Sequence, residues 1–180
     1  MRLRAVTPAD GAAIWRLVQE AGTLEANTAY CYVLMCTHFD ETCLLAEDDD
    51  GRPCGFVVAY CPPRQVDTVF VWQVGVLSAA RGAGLGRRLL RELVERNSAR
   101  GVRYLEASVT PDNEASRALF RGLARELGTE CAVGPFMGSD LFPGEHEPEE
   151  LFRIGPITVP RAAAPRSAPS DSIPTLTAES

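Results

Sequence analysis

The sequence predicts an α/β domain in which a mixed β-sheet is flanked by helices. Short apolar segments with strand-like alternation lie between longer segments whose apolar residues recur at helical spacing. Near the middle of the chain a strand, a helix and a second strand follow one another, which is the order of a crossover unit in a mixed sheet. The chain has 180 residues, enough for one domain with its own hydrophobic core.

The first part of the chain predicts a strand, two helical segments and a hairpin. Thr7 is a suitable helix cap with Pro8 at the first helical position, and the helix stops near Gly22. The segment 28–39 is apolar at helical spacing and forms either a helix or a loop with one helical turn. A tight DDG turn between two strand-like segments predicts an antiparallel hairpin. The predicted strands of this part are 2–6, 42–47 and 54–61.

The second part of the chain supplies the sheet core and two longer helices. Leucines fall on one face of the predicted helix 84–98, and a second amphipathic helix is predicted at 112–127. From residue 158 onwards the chain is rich in Pro, Ala and Ser, with almost nothing to bury. We therefore expect a folded domain at 1–157 and a disordered tail at 158–180. The predicted strands of this part are 69–77, 102–109, 129–133 and 151–157.

The charge pattern argues against nucleic acids and membranes as partners. The net charge is −6, and the basic residues are not gathered into a stripe. No apolar run approaches the ~20 residues that a membrane span needs. The N-terminal residues also lack the apolar region of a secretory signal. We therefore expect a cytoplasmic protein.

The cysteine and histidine pattern does not predict a metal site. None of the six cysteines forms a C-x-x-C pair, and the sequence has only two histidines, so the spacing of zinc ligands is absent. Reduced, mostly structural thiols are expected in a reducing compartment. No cysteine lies near the glycine-rich segment at 81–86 or next to a histidine, which argues against a covalent thiol intermediate. The cysteines are Cys31, Cys36, Cys43, Cys54, Cys61 and Cys131.

A glycine-rich segment between a strand and a helix is the most informative feature of the sequence. It reads Arg81-Gly82-Ala83-Gly84-Leu85-Gly86 and opens the predicted helix 84–98. The first turn of a helix offers unpaired N–H groups and the positive end of the macrodipole, and glycines let these amides approach a diphosphate. Arg81, Arg87 and Arg88 add positive charge beside the segment. The segment therefore predicts a site for an anionic cofactor.

The glycine-rich segment has two other possible interpretations. A dinucleotide-binding loop has its glycines in the first strand–helix turn of the chain, whereas this loop follows the fourth predicted strand and is flanked by arginine. A glycine-rich turn with a purely structural role is the second alternative. The position of the loop disfavours the first alternative and leaves the second open.

Arg81-x-x-Gly84-x-Gly86 resembles the signature with which GNAT acetyltransferases grip the diphosphate of acetyl-CoA. The resemblance implies a GNAT fold and acetyl-CoA as cosubstrate. Many GNAT enzymes place a tyrosine seven residues after the asparagine that starts the next helix, to protonate the departing thiolate; here that position is Phe120, which cannot donate a proton. The implied cofactor-binding residues are Val74, Val76, Arg81, Gly82, Gly84, Gly86, Arg87 and Asn113.

Segments outside the loop carry a closer resemblance. They are TPADGAAIWRLV, TLEANTAYCYVLMC, FVWQVGV, YLEASVTPDNEASRALF and HEPEELFRIGP. Across nearly all of 3–157 they resemble the L-2,4-diaminobutyrate acetyltransferases of ectoine biosynthesis, which form N-γ-acetyl-diaminobutyrate. The resemblance implies a homodimer, and it implies a substrate site in which Glu25 replaces the usual aspartate. The implied substrate-binding residues are Glu25, Asn27, Tyr30, Trp72, His146 and Glu149.

The chemistry of amine acetylation requires a base. At pH 7 an alkyl ammonium with a pKa near 10.4 is a free base in only roughly one molecule in 2,500. Glu106 alternates with Ser108 on a predicted strand, so one face of that strand is polar, which suits a cleft or an exposed edge. We predict Glu106 as the base, with Glu149 and His146 as competitors. A backbone N–H near Val74 is expected to hold the oxyanion.

The function predicted from these residues is acetyl transfer from acetyl-CoA to the γ-amine of diaminobutyrate. A GNAT enzyme acting on another small amine is one alternative, and a non-catalytic acyl-CoA-binding regulator is another. A regulator needs no amine pocket, so separate, non-converging positions of Trp72, His146 and Glu149 would favour it. A pocket for the diamine should combine carboxylates with an aromatic wall, because both attract ammonium groups.

Overall fold

A single mixed sheet forms the centre of the computed structural model, which describes residues 1–22, 24 and 27–158. The predicted tail at 158–180 therefore lies outside the described residues, apart from Thr158. The strands are β1 (Arg2–Ala5), β2 (Leu44–Glu47), β3 (Pro53–Tyr60), β4 (Thr68–Val76), β5 (Tyr104–Val109), β6 (Cys131–Met137) and β7 (Glu149–Ile154). The α-helices are α1 (Gly11–Ala21), α2 (Ala29–His38), α3 (Leu85–Ser98) and α4 (Glu114–Leu127).

The strand order across the sheet is β1-β2-β3-β4-β5-β7-β6. The pair β4 and β5 is parallel and is joined by α3, while the other neighbouring strands are antiparallel. The predicted hairpin between β2 and β3 and the predicted crossover unit are both confirmed. The mixed α/β sheet predicted from the sequence is therefore the observed architecture.

The N-terminal helix begins differently from the prediction. Pro8–Asp10 form a 3-10 turn, and α1 starts only at Gly11. The Asp10 carboxylate accepts hydrogen bonds from the Thr7 backbone N–H at 2.7 Å and from the Thr7 hydroxyl at 2.9 Å. Arg4 binds the same carboxylate with two N–H groups at 2.7 and 2.9 Å. The aspartate thus ties β1 to the start of α1, and the segment 28–39 further on is a full helix, α2.

Two layers of helices cover the two faces of the sheet. One core cluster joins α1 and α2 to the sheet, with Ile14, Tyr32 and Phe56 fully buried. The other joins α3 and α4 to the opposite face, through Leu89, Leu93 and other apolar side chains. Burial of these apolar faces is the main source of stability for a domain of this kind.

β4 and β5 separate in the middle of the sheet. They pair only over Thr68–Val71 and Tyr104–Ala107, and beyond this point each strand continues beside its other neighbour. In the β3–β4 pair the partner of Val58 is Gln73 while that of Ala59 is Val71, so Trp72 is the extra residue of a β-bulge. The separation leaves the facing edge of β4 from Trp72 to Val76 without a β5 partner.

Candidate active site

A cavity of about 690 Å³ lies where β4 and β5 separate, and we call it the main cavity. Its walls come from these two strands, from β7, from the ends of β3 and β6, from the start of α4 and from the loops around them. The predicted site residues that line it are Asn27, Trp72, Val74, Glu106, Asn113, His146 and Glu149. Trp72, His146 and Glu149 thus converge on one space, which is the opposite of the arrangement that would favour a non-catalytic regulator.

Two grooves continue from the main cavity. The strand groove, about 620 Å³, lies between the end of β4 and the start of α4 and shares Leu24, Val74, Thr110, Asn113 and Ser116 with the main cavity. The loop groove, about 430 Å³, lies at the glycine-rich segment and shares Val76, Arg81, Gly86, Ala115 and Leu119 with the strand groove. A continuous path therefore leads from the main cavity to the start of α3.

The glycine-rich segment has the backbone that an anion site needs. Gly82 has a φ of 84° and Gly84 a φ of 71°, both in the left-handed region that other residues adopt only with strain. Gly84 is the N-cap of α3, and no side chain accepts a hydrogen bond there. The first N–H groups of the 14-residue helix α3 thus face the loop groove without a side-chain cap. A Cβ on Gly82 would meet nothing within 4 Å. Glycine is therefore needed at this position because of its positive φ and not because space is short.

The two predicted phosphate-binding arginines lie on different sides of the loop groove. Arg81 donates from Nε to the carbonyl oxygen of Val76 at 3.1 Å, which holds its side chain over the end of β4. Arg87 lies between α3 and α4, with Nε 3.1 Å from Oε2 of Glu126. Both arginines line the loop groove. Part of the charge of Arg87 is therefore compensated within the protein, which the sequence did not predict.

Asn113 has a structural role in addition to the predicted cofactor contact. Its Oδ1 accepts a hydrogen bond from the backbone N–H of Ser116 at 3.0 Å, so it is the N-cap of α4. Because the residue lines both the main cavity and the strand groove, the cap fixes the start of α4 beside both spaces. The contact with the cofactor stays a prediction.

Glu106 is a buried carboxylate in the wall of the main cavity, 5% exposed. Glu106 and Ser108 both line the cavity, so the polar face of β5 belongs to a cleft and not to an exposed edge. The partner of Glu106 is Arg153 of β7, which stands opposite it in the antiparallel pair and forms an ion pair with it. A buried carboxylate needs such compensation, because desolvation of an unpaired charge is costly.

Neighbouring glutamates at the start of β7 face in opposite directions. Glu149 lines the main cavity, whereas Glu150 forms an ion pair with Arg117 of α4. Strand alternation separates them, so the two neighbouring carboxylates have different surroundings. His146 lies 3.9 Å from Glu149, measured from Nε2 to Oε1, and its ring stacks on Phe142 with a centroid distance of 3.9 Å. The two predicted competitors of Glu106 are therefore adjacent to each other.

Trp72 belongs both to the hydrophobic core and to the cavity wall. It packs against the core on the α1–α2 side and lines the main cavity. Its ring stacks on Tyr32 with a centroid distance of 5.6 Å and an interplanar angle of 27°. The Tyr32 hydroxyl donates to Oε1 of Gln73 at 2.9 Å. Burial raises the pKa of Tyr32, so its phenol is neutral and able to donate at neutral pH.

Two of the predicted substrate residues are not seen at the main cavity. Glu25 lies outside the described residues. Tyr30, on the first turn of α2, is 72% exposed and does not line the cavity. Among the predicted substrate residues, those that the structure brings together are Asn27, Trp72, His146 and Glu149.

Several residues at the site have no signal in the sequence. Arg153 becomes visible only through the register of β5 and β7, which are far apart in the chain. Tyr32 and Gln73 are 41 positions apart in the chain, so local sequence patterns do not predict the hydrogen bond between them. Phe142 lies in a loop and stacks on His146. Strand alternation would even place Gln73 on the face opposite Trp72, and only the bulge brings both to the cavity.

The cysteines have the character of structural thiols. All six are free. Burial raises the pKa of Cys43 to about 12 and that of Cys36 to about 11, so both are protonated thiols at neutral pH. Within the described ranges no group of three or more His, Cys, Asp or Glu side chains could hold a metal ion. In the same part of the chain, no helix combines the length and apolar character of a membrane span.

The fold and the path from cavity to glycine-rich loop define a class of protein, the N-acyltransferases that take their acyl group from coenzyme A. The chain belongs to the acetyltransferase (GNAT) family, whose model matches residues 12–124. The predicted fold class is thereby confirmed. A structure of YncA from Salmonella typhimurium with acetyl-CoA shares the fold, with a TM-score of 0.67 at 21% identity over 93% of this chain and 99% of that one.

Closer relatives carry one name. The L-2,4-diaminobutyric acid acetyltransferase of Shouchella clausii is 48% identical over 158 residues, which cover 87% of this chain and 88% of the relative. That of Marinococcus halophilus is 52% identical over 84% of this chain and 88% of the relative. The structure of diaminobutyrate acetyltransferase EctA from Paenibacillus lautus, in complex with L-2,4-diaminobutyric acid and coenzyme A, is 38% identical, with a TM-score of 0.82 over 89% of this chain and 98% of that one.

Proposed function

We propose that this protein transfers an acetyl group from acetyl-CoA to the γ-amine of L-2,4-diaminobutyrate, giving N-γ-acetyl-diaminobutyrate for ectoine synthesis. The observation that carries the proposal is the direct opening of the main cavity, with its carboxylates and Trp72, into the strand groove. Relatives at 48% and 52% identity and a solved structure at 38% identity bear the name of this activity. The cytoplasm is the proposed compartment, because all six cysteines are free.

The two grooves suit the two parts of coenzyme A. The loop groove offers the uncapped start of α3 and the guanidinium groups of Arg81 and Arg87 to the diphosphate. The strand groove offers the edge of β4 near Val74 and Val76, which has no β5 partner, to the amide groups of the pantetheine arm. The thioester then lies where the strand groove meets the main cavity.

The main cavity suits a small molecule with two ammonium groups. Glu149 and Glu106 supply negative charge, and Trp72 supplies an aromatic face that attracts a cation. The negative charge of Glu106 is compensated by the guanidinium of Arg153, whereas Glu149 lies beside His146. We infer that Glu149, His146, Trp72 and Asn27 orient the diamine.

The proposed mechanism is direct attack by the amine. Glu106 takes a proton from the γ-ammonium, directly or through a water molecule, which typically contributes ~10²–10⁴-fold. The amine nitrogen forms a bond to the thioester carbonyl carbon, and a backbone N–H near Val74 donates to the oxygen that becomes negative. The C–S bond then breaks and its electron pair stays on sulfur, the nitrogen gives up its second proton to water, and the neutral amide is released. Glu149 and His146 are the competing candidates for the base.

The position from which many GNAT enzymes protonate the departing thiolate holds no tyrosine in this chain. Phe120 occupies the position, is 2% exposed and packs against Phe152 with a centroid distance of 6.1 Å. A thiol has a pKa near 8.5, so a thiolate is a tolerable leaving group even without an acid. The mechanism therefore requires no general acid from this position.

We infer that two copies of the chain form a homodimer. β6 is an edge strand of the sheet, and its side chain Val133 is an exposed apolar group. Exposed apolar residues on an edge strand favour association with another chain. Light scattering coupled to size exclusion tests this directly, and a mass of one chain at micromolar concentration would contradict it.

The activity is tested by product identification. The protein is incubated with acetyl-CoA and, separately, with diaminobutyrate, diaminopropionate, ornithine and putrescine, and NMR identifies which nitrogen carries the acetyl group. We expect fastest turnover of diaminobutyrate and acetylation at the γ-nitrogen. Faster turnover of another amine, or acetylation at the α-nitrogen, would contradict the proposal.

A further inference from the structure

Tyr32 of α2 is fully buried, yet its hydroxyl has a partner on each side. It accepts a hydrogen bond from the backbone N–H of Asn27 at 3.4 Å and donates one to Oε1 of Gln73 at 2.9 Å. A phenol has one donor and can accept as well, so this arrangement uses both capacities. One hydroxyl thus connects the segment that precedes α2 with the central strand β4.

The two ends of this connection both reach the main cavity. Asn27 and Gln73 line it, and so does Trp72, on which the Tyr32 ring stacks. Trp72 and Gln73 are the consecutive residues at the β-bulge of β4. Tyr32 therefore contacts both residues of the bulge without lining the cavity itself.

Leu24 gives the same early segment a second contact with β4. Its Cδ1 lies 2.9 Å from the position that a Cβ on Gly75 would occupy, so Leu24 packs directly on the backbone of β4. Leu24 lines both the main cavity and the strand groove. The segment before α2 is thus held against β4 by one apolar contact and one hydrogen-bonded connection.

We propose that Tyr32 is a positioning residue for the amine substrate, whose hydroxyl fixes Asn27 relative to Trp72 and Gln73 at the main cavity. The inference rests on the proposed function, because it assumes that the amine binds in this cavity. Tyr32 lines none of the cavity or its grooves, so its loss should weaken amine binding and leave coenzyme A binding intact.

The test is Tyr32→Phe, which keeps the ring stacked on Trp72 and removes only the hydroxyl. We expect the KM for diaminobutyrate to rise roughly ten-fold, because Gln73 and the backbone N–H of Asn27 each lose a hydrogen bond to the Tyr32 hydroxyl. The kcat at saturating amine and the Kd of coenzyme A should stay within about two-fold of wild type. A KM within two-fold of wild type would overturn the inference, as would a Kd of coenzyme A that rises as much as the KM.

Two further variants complete the experiment. Gln73→Leu removes the acceptor of the Tyr32 hydroxyl. Each of the two substitutions breaks the same hydrogen bond, so the double variant with Tyr32→Phe should raise the KM no more than the more damaging single variant does. Additive effects would overturn the inference. Thr37→Val is the matched control: it removes a hydroxyl that donates to Val33 on the exposed side of the same helix, and should leave the KM unchanged.

The outcome separates this inference from the proposed function. If wild-type protein acetylates a different amine, the proposed function fails, and the KM ratio is measured for that amine instead. The positioning role of Tyr32 is then judged by the same criteria for whichever amine is turned over, and a ratio of variant to wild-type KM near one contradicts it.

Discussion

Glu106 on β5 and Arg153 on β7 stand opposite each other in the antiparallel pair and form an ion pair at the wall of the main cavity. The carboxylate is almost fully buried, whereas the guanidinium is partly open to solvent. The ion pair stabilises a negative charge in the cavity that would otherwise be costly to desolvate. Arg153 therefore matters for the role of Glu106 although it carries none of the predicted chemistry itself.

The first prediction concerns the proposed base. Glu106→Gln keeps the size and a hydrogen-bond acceptor for Arg153 but cannot take a proton, so kcat should fall at least about 100-fold while the KM for diaminobutyrate changes little. Steady-state kinetics over a range of pH values is the measurement. Glu150→Gln is the matched control, because Glu150 pairs with Arg117 on the α4 side of the same sheet.

The same experiment can exclude Glu106. If Glu106→Gln retains kcat within about three-fold and an unchanged pH–rate profile, the base is another group. Glu149→Gln and His146→Ala are then measured in the same way, since these two residues are adjacent and both line the cavity.

The second prediction concerns the close contact of Leu24 with β4. A Cβ on Gly75 would lie 2.6 Å from Cε1 of Phe56 and 2.9 Å from Cδ1 of Leu24, so Gly75→Ala should lower the free energy of unfolding by about 1–3 kcal/mol. It should also raise the KM for the amine, because Leu24 lines the main cavity. Urea unfolding and steady-state kinetics are the measurements.

Gly134→Ala serves as the control for this prediction. Gly134 also lies in a strand, and a Cβ there would meet nothing within 4 Å. The free energy of unfolding of the Gly134→Ala variant should differ from that of wild type by less than about 0.5 kcal/mol. Equal effects of the two substitutions would contradict the packing argument for Gly75.

Sequence patterns predict those parts of this protein that depend on neighbours in the chain. The glycines at 82 and 84 and the amphipathic helices α3 and α4 all follow from local spacing. The partner of Glu106 could not be predicted, because Arg153 reaches it through the register of two strands that are 47 positions apart at this pair. The bulge at Trp72 was equally invisible, since it is a property of the β3–β4 pair and not of β4 alone. The register between strands that are far apart in the chain thus determines the features of the site that local sequence patterns do not predict.

The third prediction concerns acid sensitivity. Two N–H groups of Arg4 hold the pKa of Asp10 at about 2, below the value near 3.9 of an unfolded chain. Because the folded-state pKa is the lower one, the ionised carboxylate stabilises the fold above pH 4, and this contribution is lost as the pH falls towards 2. The contribution of the ionised Asp10 carboxylate to the free energy of unfolding amounts to about 2 kcal/mol.

Urea unfolding of Asp10→Asn at pH 7, 5 and 3 tests this prediction. The variant should be about 2 kcal/mol less stable than wild type at pH 7, and the difference should shrink at pH 3. Asp50→Asn, in the exposed turn between β2 and β3, is the control and should show no such dependence. A difference between Asp10→Asn and wild type that is constant from pH 7 to pH 3 would refute the role of the carboxylate.

The central claim is that the start of α3 grips the diphosphate of coenzyme A, and calorimetric titration tests it most directly. Wild-type protein should bind coenzyme A at least about 100-fold more tightly than pantetheine, which lacks the diphosphate, and Arg81→Gln should weaken coenzyme A binding roughly ten-fold. Arg96→Gln, at the other end of α3, should bind like wild type. Absence of heat with coenzyme A, or equal affinities for coenzyme A and pantetheine, would contradict the account.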